Sequence, residues 1–211
     1  MLYKTLWKYR PLGQLLEDQW KPPQIGFIKL NYDGASKGNP GQAGAGGIFH
    51  NSQGLVCRCF ASDLGYATNN EAELMAVKQG LLIALRENYQ RLIVEGDSAM
   101  VTGVLQKLQH GTPWDKVTQS WRTSGLIHEI SQLIKNIQYM IPIHIRRKGN
   151  ATADYLGNWG CKNPNRSMEA RLIVAIWDAE LHSLQLIMNK DLQDYTNQRS
   201  PDRGGQLAQE S

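Results

Sequence analysis

The hydrophobic period first switches from that of strands to that of a helix near residue 69, and that switch restricts the fold more than any other feature. Before it, one segment alternates with a period of two. Residues 27–33 alternate Ile28, Leu30 and Tyr32 with Lys29, Asn31 and Asp33, as a strand does when one face is more apolar than the other. The strand is expected to stop at the glycine-rich turn that follows Asp33. Residues 43–50 and 54–62 give two further strands, and Asn51-Ser52-Gln53-Gly54 between them has the composition of a hairpin turn. After the change the spacing is helical. From Asn69 to Arg86, Leu74, Val77, Leu81 and Leu85 form one stripe, with Asn69 as the cap and Glu71 and Glu73 in the first turn. Residues 92–96 read as a buried strand and 98–108 as a helix carrying Met100, Val101, Val104 and Leu105. A break at Gly111-Thr112-Pro113 precedes a helix over 124–136 and a last strand over 139–145, where Pro142 marks a sheet edge. A final core helix begins near Asn150. Three antiparallel strands followed by helix, strand, helix, helix, strand and helix define an α/β chain with a mixed sheet whose later strands join through helical crossovers.

The core domain is expected to span residues 25–163. Residues 1–24 are an extended lead-in ending in Trp20-Lys21-Pro22-Pro23. Residues 164–188 read as an extra amphipathic helix, from Met168 to Met188, and a candidate protein contact, while 189–211 read as a disordered tail. Cys57, Cys59 and Cys161 form no CxxC pair, which excludes a zinc cluster or a disulfide framework and suits a reducing compartment. No run approaches the roughly 18 consecutive apolar residues of a membrane span, and the first residues lack the uninterrupted apolar segment and small-residue cleavage site of a secretory signal, so none is expected. A soluble intracellular monomer of the nucleus or cytoplasm is expected, neither secreted nor bound to a membrane. Lys4, Lys8 and Arg10 give only a weak leaning toward organelle import.

Four acids stand at the ends of elements rather than on their exposed faces. Asp33 closes the first strand, Glu73 lies in the first turn of the long helix, Asp97 closes the fourth strand and Asp154 opens the last core helix. In open sheets with crossover helices, ligands bind beyond the carboxyl ends of the parallel strands. If the four converge, two carboxylates about 4 Å apart repel by roughly 4 kcal/mol at an effective dielectric near 20, so the cluster must take up protons or a cation. Hard oxygen ligands select magnesium or manganese, and four carboxylates suit a pair of such ions, a device for phosphodiester cleavage. Charge agrees with a polyanionic substrate. The net charge is +4 overall, and residues 1–160 carry 17 Lys and Arg against 12 Asp and Glu, of which these acids are four.

Four stretches, in order, resemble the motifs of type 1 ribonuclease H. They are Asp33-Gly34-Ala35-Ser36-Lys37-Gly38-Asn39-Pro40-Gly41, Thr68-Asn69-Asn70-Glu71-Ala72-Glu73-Leu74-Met75-Ala76, Glu95-Gly96-Asp97-Ser98 and Gly149-Asn150-Ala151-Thr152-Ala153-Asp154. The chain is most similar to the reverse-transcriptase-associated form found in plant retroelements, over residues 20–160. The resemblance implies a ribonuclease H-like fold, with a five-stranded mixed sheet of three antiparallel and then two parallel strands, flanked by helices. It implies cleavage of the RNA strand of an RNA·DNA hybrid with two Mg²⁺ ions, Mn²⁺ being a substitute, to leave 5′-phosphate and 3′-hydroxyl ends. Asp33, Glu73, Asp97 and Asp154 match the family's catalytic, metal-binding acids. Gly34, Asn39, Asn69 and Asn70 match positions that contact the minor groove, where the 2′-hydroxyl separates RNA from DNA, and Ser36 is expected to bind nucleic acid with them.

The chain also departs from that family. The flexible loop with a histidine before the last acid is replaced by Ile143-His144-Ile145-Arg146-Arg147-Lys148. His144 reads as structural there, and Arg146, Arg147 and Lys148 as a basic triplet able to meet phosphate. The basic protrusion is poorly matched by residues 111–124, where Trp114 and Trp121 read as core or interface residues. Glu95 reads as an ion-pair partner of Arg91 or Lys29 rather than a fifth acid of the cluster. These departures leave open a non-enzymatic alternative, a domesticated domain that binds hybrids or a protein without turnover. A related exonuclease fits less well, because the partner position after Asp33 holds Ala35.

Overall fold

The computed structural model describes residues 20–170 apart from Gln119. Strands β1 (Ile28–Lys37), β2 (Gly41–His50) and β3 (Val56–Ala67) form an antiparallel meander. Strands β4 (Arg91–Gly96) and β5 (Tyr139–His144) extend the sheet in parallel on the other side of β1, and β6 (Ser167–Ala170) pairs antiparallel with β3. The order is β5-β4-β1-β2-β3-β6. Helices α1 (Asn69–Arg86), α2 (Ala99–Gln109), α3 (Trp114–Val117) and α4 (Trp121–Ile134) precede β5. A 3₁₀ turn at Arg147–Asn150 then leads into α5 (Ala151–Lys162).

The alternation along the strands supplies two cores. Leu30, Tyr32, Phe49, Phe60, Leu92 and Val94 point to the face covered by α1, α2 and α4, where Leu74, Leu81, Leu105 and Ile130 meet them. Ile48, Cys59 and Ala61 point the other way, onto Leu156 and Trp159 of α5. Helix α5 lies directly against the sheet, because a Cβ at Gly46 would stand 2.2 Å from the Gly157 nitrogen. Backbone atoms cannot yield as a side-chain tip can. Gly46→Ala is therefore expected to destabilise the domain by about 3 kcal/mol, read as a lower urea midpoint with the slope unchanged.

Several boundaries differ from the sequence expectation. The sheet has six strands, not five, and residues 167–170 are strand where a helix from Met168 was expected. Pairing of Ser167 with Ser62 and of Met168 with Ala61 draws this segment onto β3, and the Met168 side chain packs against the α5-side core. The boundary expected at residue 163 thus falls before a strand of the same sheet. The lead-in up to residue 19, the remainder of the expected 164–188 helix and the 189–211 tail lie outside the described residues. Strand β1 does not stop at Asp33 but continues to Lys37, held by Ser36↔Ala43 and Lys37↔Gln42 pairing with β2. The α1 cap is Thr68 rather than Asn69. Thr68 Oγ1 accepts from the Glu71 N–H at 3.3 Å and Glu71 Oε2 accepts from the Thr68 N–H at 2.8 Å, a reciprocal box that satisfies two otherwise orphaned donors. Pro142 does lie on an edge strand, β5.

Candidate active site

Parallel register brings the first two acids level. Asn31 of β1 pairs with Glu95 of β4, and Asp33 and Asp97 each follow two residues later, past the end of the parallel ladder. Glu73 arrives from α1, whose backbone presses on β1 at Gly34. A Cβ there would stand 2.1 Å from the Glu73 nitrogen, so only glycine permits this approach. Carboxylate oxygens of Asp33, Glu73 and Asp97 all lie within 4.8 Å of one another. Asp33 and Glu73 are 5% and 9% exposed.

Burial and mutual repulsion act together on these groups. Burial, then the charges of Asp97 and Asp154, push the Asp33 carboxyl up to about 8, against a smaller downward pull from Arg147. Burial, then Asp33 and Asp97, push Glu73 up to about 9, opposed by the Gly34 N–H that its carboxylate accepts. The other Glu73 oxygen, Oε2, is buried without a hydrogen-bond partner among the described residues. An unpartnered buried carboxylate oxygen beside two further carboxylates is an unfavourable arrangement unless a proton or a cation completes it. Three clustered carboxylates with one oxygen left over fit a divalent cation of the hard, oxygen-seeking kind.

Asp154 lines the same cleft of about 370 Å³. It does not join the three-acid cluster. Arg147 Nη2 and Nε instead donate to its Oδ1 at 2.7 and 3.2 Å. The Arg147 side chain is 77% exposed, so this pair is held by little packing. The sequence shows Arg147 only as part of a basic triplet, and its contact with Asp154 is not legible there because the 3₁₀ turn breaks the helical spacing. Asn158, one turn beyond Asp154, also lines the cleft and was missed, although its i+4 position was readable.

The expected nucleic-acid contacts separate into groups. Gly34, Ser36, Asn69 and Asn70 line the cleft, with both asparagines exposed. Ser36 Oγ donates to the Ala67 carbonyl at 2.7 Å. Asn39 is exposed but lies off the cleft lining, and its Oδ1 accepts from the Asn69 N–H at 2.9 Å, bracing the β1–β2 turn against α1. Arg146 and Lys148 are exposed and, unlike Arg147, do not line the cleft. His144 is exposed, and its Nε2 donates to the Asp97 carbonyl at 3.1 Å, tying β5 to the end of β4. Glu95 pairs with Lys29 at 2.5 Å. Trp121, expected in a core or interface, is 79% exposed, with the Arg122 guanidinium 5.0 Å from its ring centre. Trp114 is half-buried and stacks on His128 at 4.6 Å.

The fold is that of the ribonuclease H-like class. The chain belongs to the reverse transcriptase-like family, whose profile matches residues 31–160. A protein of Arabidopsis thaliana assigned by name to ribonuclease H is 31% identical over 140 residues, covering 66% of this chain and 21% of the relative. Ribonuclease HI of Halobacterium salinarum is 29% identical over 138 residues, covering 65% of this chain and 66% of that protein. The chain thus spans about a fifth of the plant relative and just under two thirds of the archaeal one. The crystal structure of RNase H1 from the same archaeon superposes with a TM-score of 0.57 at 26% identity, over 64% of this chain and 97% of that one. The compost-derived LC11-RNase H1, solved in complex with an RNA/DNA hybrid, shares the fold with a TM-score of 0.56 at 23% identity, over 64% and 96% of the two chains.

Proposed function

We propose that this protein is a divalent-metal-dependent endonuclease that hydrolyses the RNA strand of RNA·DNA hybrids, leaving 5′-phosphate and 3′-hydroxyl ends. One observation carries the reading: three carboxylates from β1, α1 and the end of β4 converge within 4.8 Å, and Glu73 Oε2 among them is buried and unpartnered among the described residues. Asp33, Glu73 and Asp97, with Asp154 beside them, would hold a pair of Mg²⁺ ions, or Mn²⁺ in their place. Such ions, when bound, lower the pKa of a water nucleophile and stabilise the leaving oxygen of an in-line displacement.

The chain's own groups do the positioning. Asp33 on β1 and Asp97 just past the end of β4 are brought level by the parallel register of the two strands, and the Gly34 N–H holds one side of the Glu73 carboxylate. The exposed amides of Asn69 and Asn70 on the cleft rim can both donate to and accept from a 2′-hydroxyl, which DNA lacks. Arg147 is exposed enough to exchange its carboxylate partner for a backbone phosphate. Trp121, with Arg122 against its ring, offers an exposed stacking and cationic surface outside the cleft lining.

Purified protein with Mg²⁺ is expected to nick the RNA strand of an end-labelled hybrid and to spare duplex DNA of the same sequence. Unchanged cleavage in excess chelator would exclude the metal assignment. The ion pair that Arg147 makes with Asp154 favours a second reading, a hybrid-binding domain without turnover. Tight hybrid binding with no cleavage at any Mg²⁺ or Mn²⁺ concentration would select it.

A further inference from the structure

Behind the carboxylates, a buried polar network spans three elements of the sheet and its flank. Lys29 and Asn31 of β1, Glu95 of β4 and Asn150 at the start of α5 are 5%, 2%, 6% and 1% exposed. Lys29 Nζ meets Glu95 Oε1 at 2.5 Å and donates to the Lys21 carbonyl at 2.6 Å. Asn31 Nδ2 donates to Glu95 Oε2 at 3.2 Å and to Asn150 Oδ1 at 3.4 Å. Asn150 Nδ2 in turn donates to the Tyr32 carbonyl at 2.8 Å. From the lead-in, Trp20 Nε1 donates to Asn31 Oδ1 at 2.9 Å, while its ring packs 4.6 Å from that of His50.

Each of the first three elements carries an acid of the site a short distance on. Asn31 precedes Asp33 by two residues, Glu95 precedes Asp97 by two, and Asn150 precedes Asp154 by four, one helical turn. A buried ion pair is a poor source of stability, because desolvation offsets most of its attraction and a well-packed apolar pair does as well. Its directional bonds do, however, fix one relative placement of the segments that bear them.

We infer that Lys29, Glu95, Asn31 and Asn150 are positioning residues that set Asp154 at a fixed height relative to Asp33 and Asp97. Trp20 locks the network from the lead-in, so the functional unit includes Trp20 and is not confined to the strands and helices of the sheet. The inference rests on the metal-site reading above, and groups that orient metal ligands typically govern affinity by about 10- to 100-fold.

The test uses the full chain, with Mn²⁺ binding followed by electron paramagnetic resonance and hybrid cleavage measured separately. Asn150→Ala is expected to weaken Mn²⁺ binding about 10-fold or more, and to lower kcat while KM for the hybrid stays within about twofold. The double variant Lys29→Met/Glu95→Leu is expected to keep a cooperative unfolding transition and show the same two losses. Trp20→Phe, which deletes one donor and keeps the ring, is expected to show them in smaller degree and covers the case in which Asn150→Ala does not fold. Wild-type Mn²⁺ affinity and kcat in the folded variants would overturn the inference. Wild-type protein that binds Mn²⁺ but cleaves no hybrid would sink the proposed activity alone. Wild-type protein that does neither would sink both.

Discussion

Asp33→Asn is expected to reduce hybrid cleavage by at least about a thousandfold, some 4 kcal/mol of transition-state stabilisation, and yet to make the metal-free protein harder to unfold at pH 8. The two effects share one cause. Asp33 is buried among like charges, and its carboxyl is pushed up to about 8 chiefly by burial and then by Asp97 and Asp154. Asparagine keeps the shape and removes the charge, which relieves both the desolvation and the repulsion on Asp97 and Glu73. A gain of about 2 kcal/mol corresponds to roughly 5 °C in Tm for a domain of this size. Parallel thermal melts and cleavage assays on the two proteins, in chelator and in Mg²⁺, provide the check. A less stable Asp33→Asn protein would show that the carboxylate is held by partners rather than repelled.

The second large effect is an inverted pH dependence. Asp33 and Glu73 titrate in the folded protein near 8 and 9, far above their usual range, so between about pH 4 and those values the folded state holds protons that the unfolded chain has released. Stability from these groups is full below about pH 4 and is lost as pH rises through 8 and 9, the opposite of a salt-bridged carboxylate. Divalent cations compete with those protons, so their stabilising effect grows with pH. Mg²⁺ at about 100 times its Kd is expected to add close to 2.7 kcal/mol at pH 9 and little at pH 5. Calorimetry with and without Mg²⁺ across that range measures it directly, and a Tm indifferent to Mg²⁺ at pH 9 would dismiss the cluster as a cation site.

Much of this site was readable in the chain because its acids sit where local pattern ends. The alternation of residues 27–33 and the helical stripe from Leu74 to Leu85 are local signals, and they place Asp33 and Glu73 near a common edge. What escaped notice depends on partners distant in sequence. Gly34, Ala35 and Ser36 have weak strand preference, and β1 includes them only because β2 pairs across to Lys37. Strand β6 exists because β3 offers an open edge, which nothing within residues 167–170 announces. The Thr68 and Glu71 capping box is a local signal, one residue ahead of the Asn69 cap that the composition suggests. Arg147 and Asp154 meet across a 3₁₀ turn, a geometry that no simple period encodes.

The pairing of Asn31 with Glu95 also limits how such a centre can change. Side chains on a strand alternate faces, so a slip of one position would turn Asp97 away from Asp33 altogether, and no intermediate offset is available. The separation of the two aspartates is therefore set in whole steps of backbone rather than adjusted by neighbouring substitutions. Insertion of a single residue within β4 would abolish the centre at once, whereas lengthening the connections around it would leave the spacing untouched.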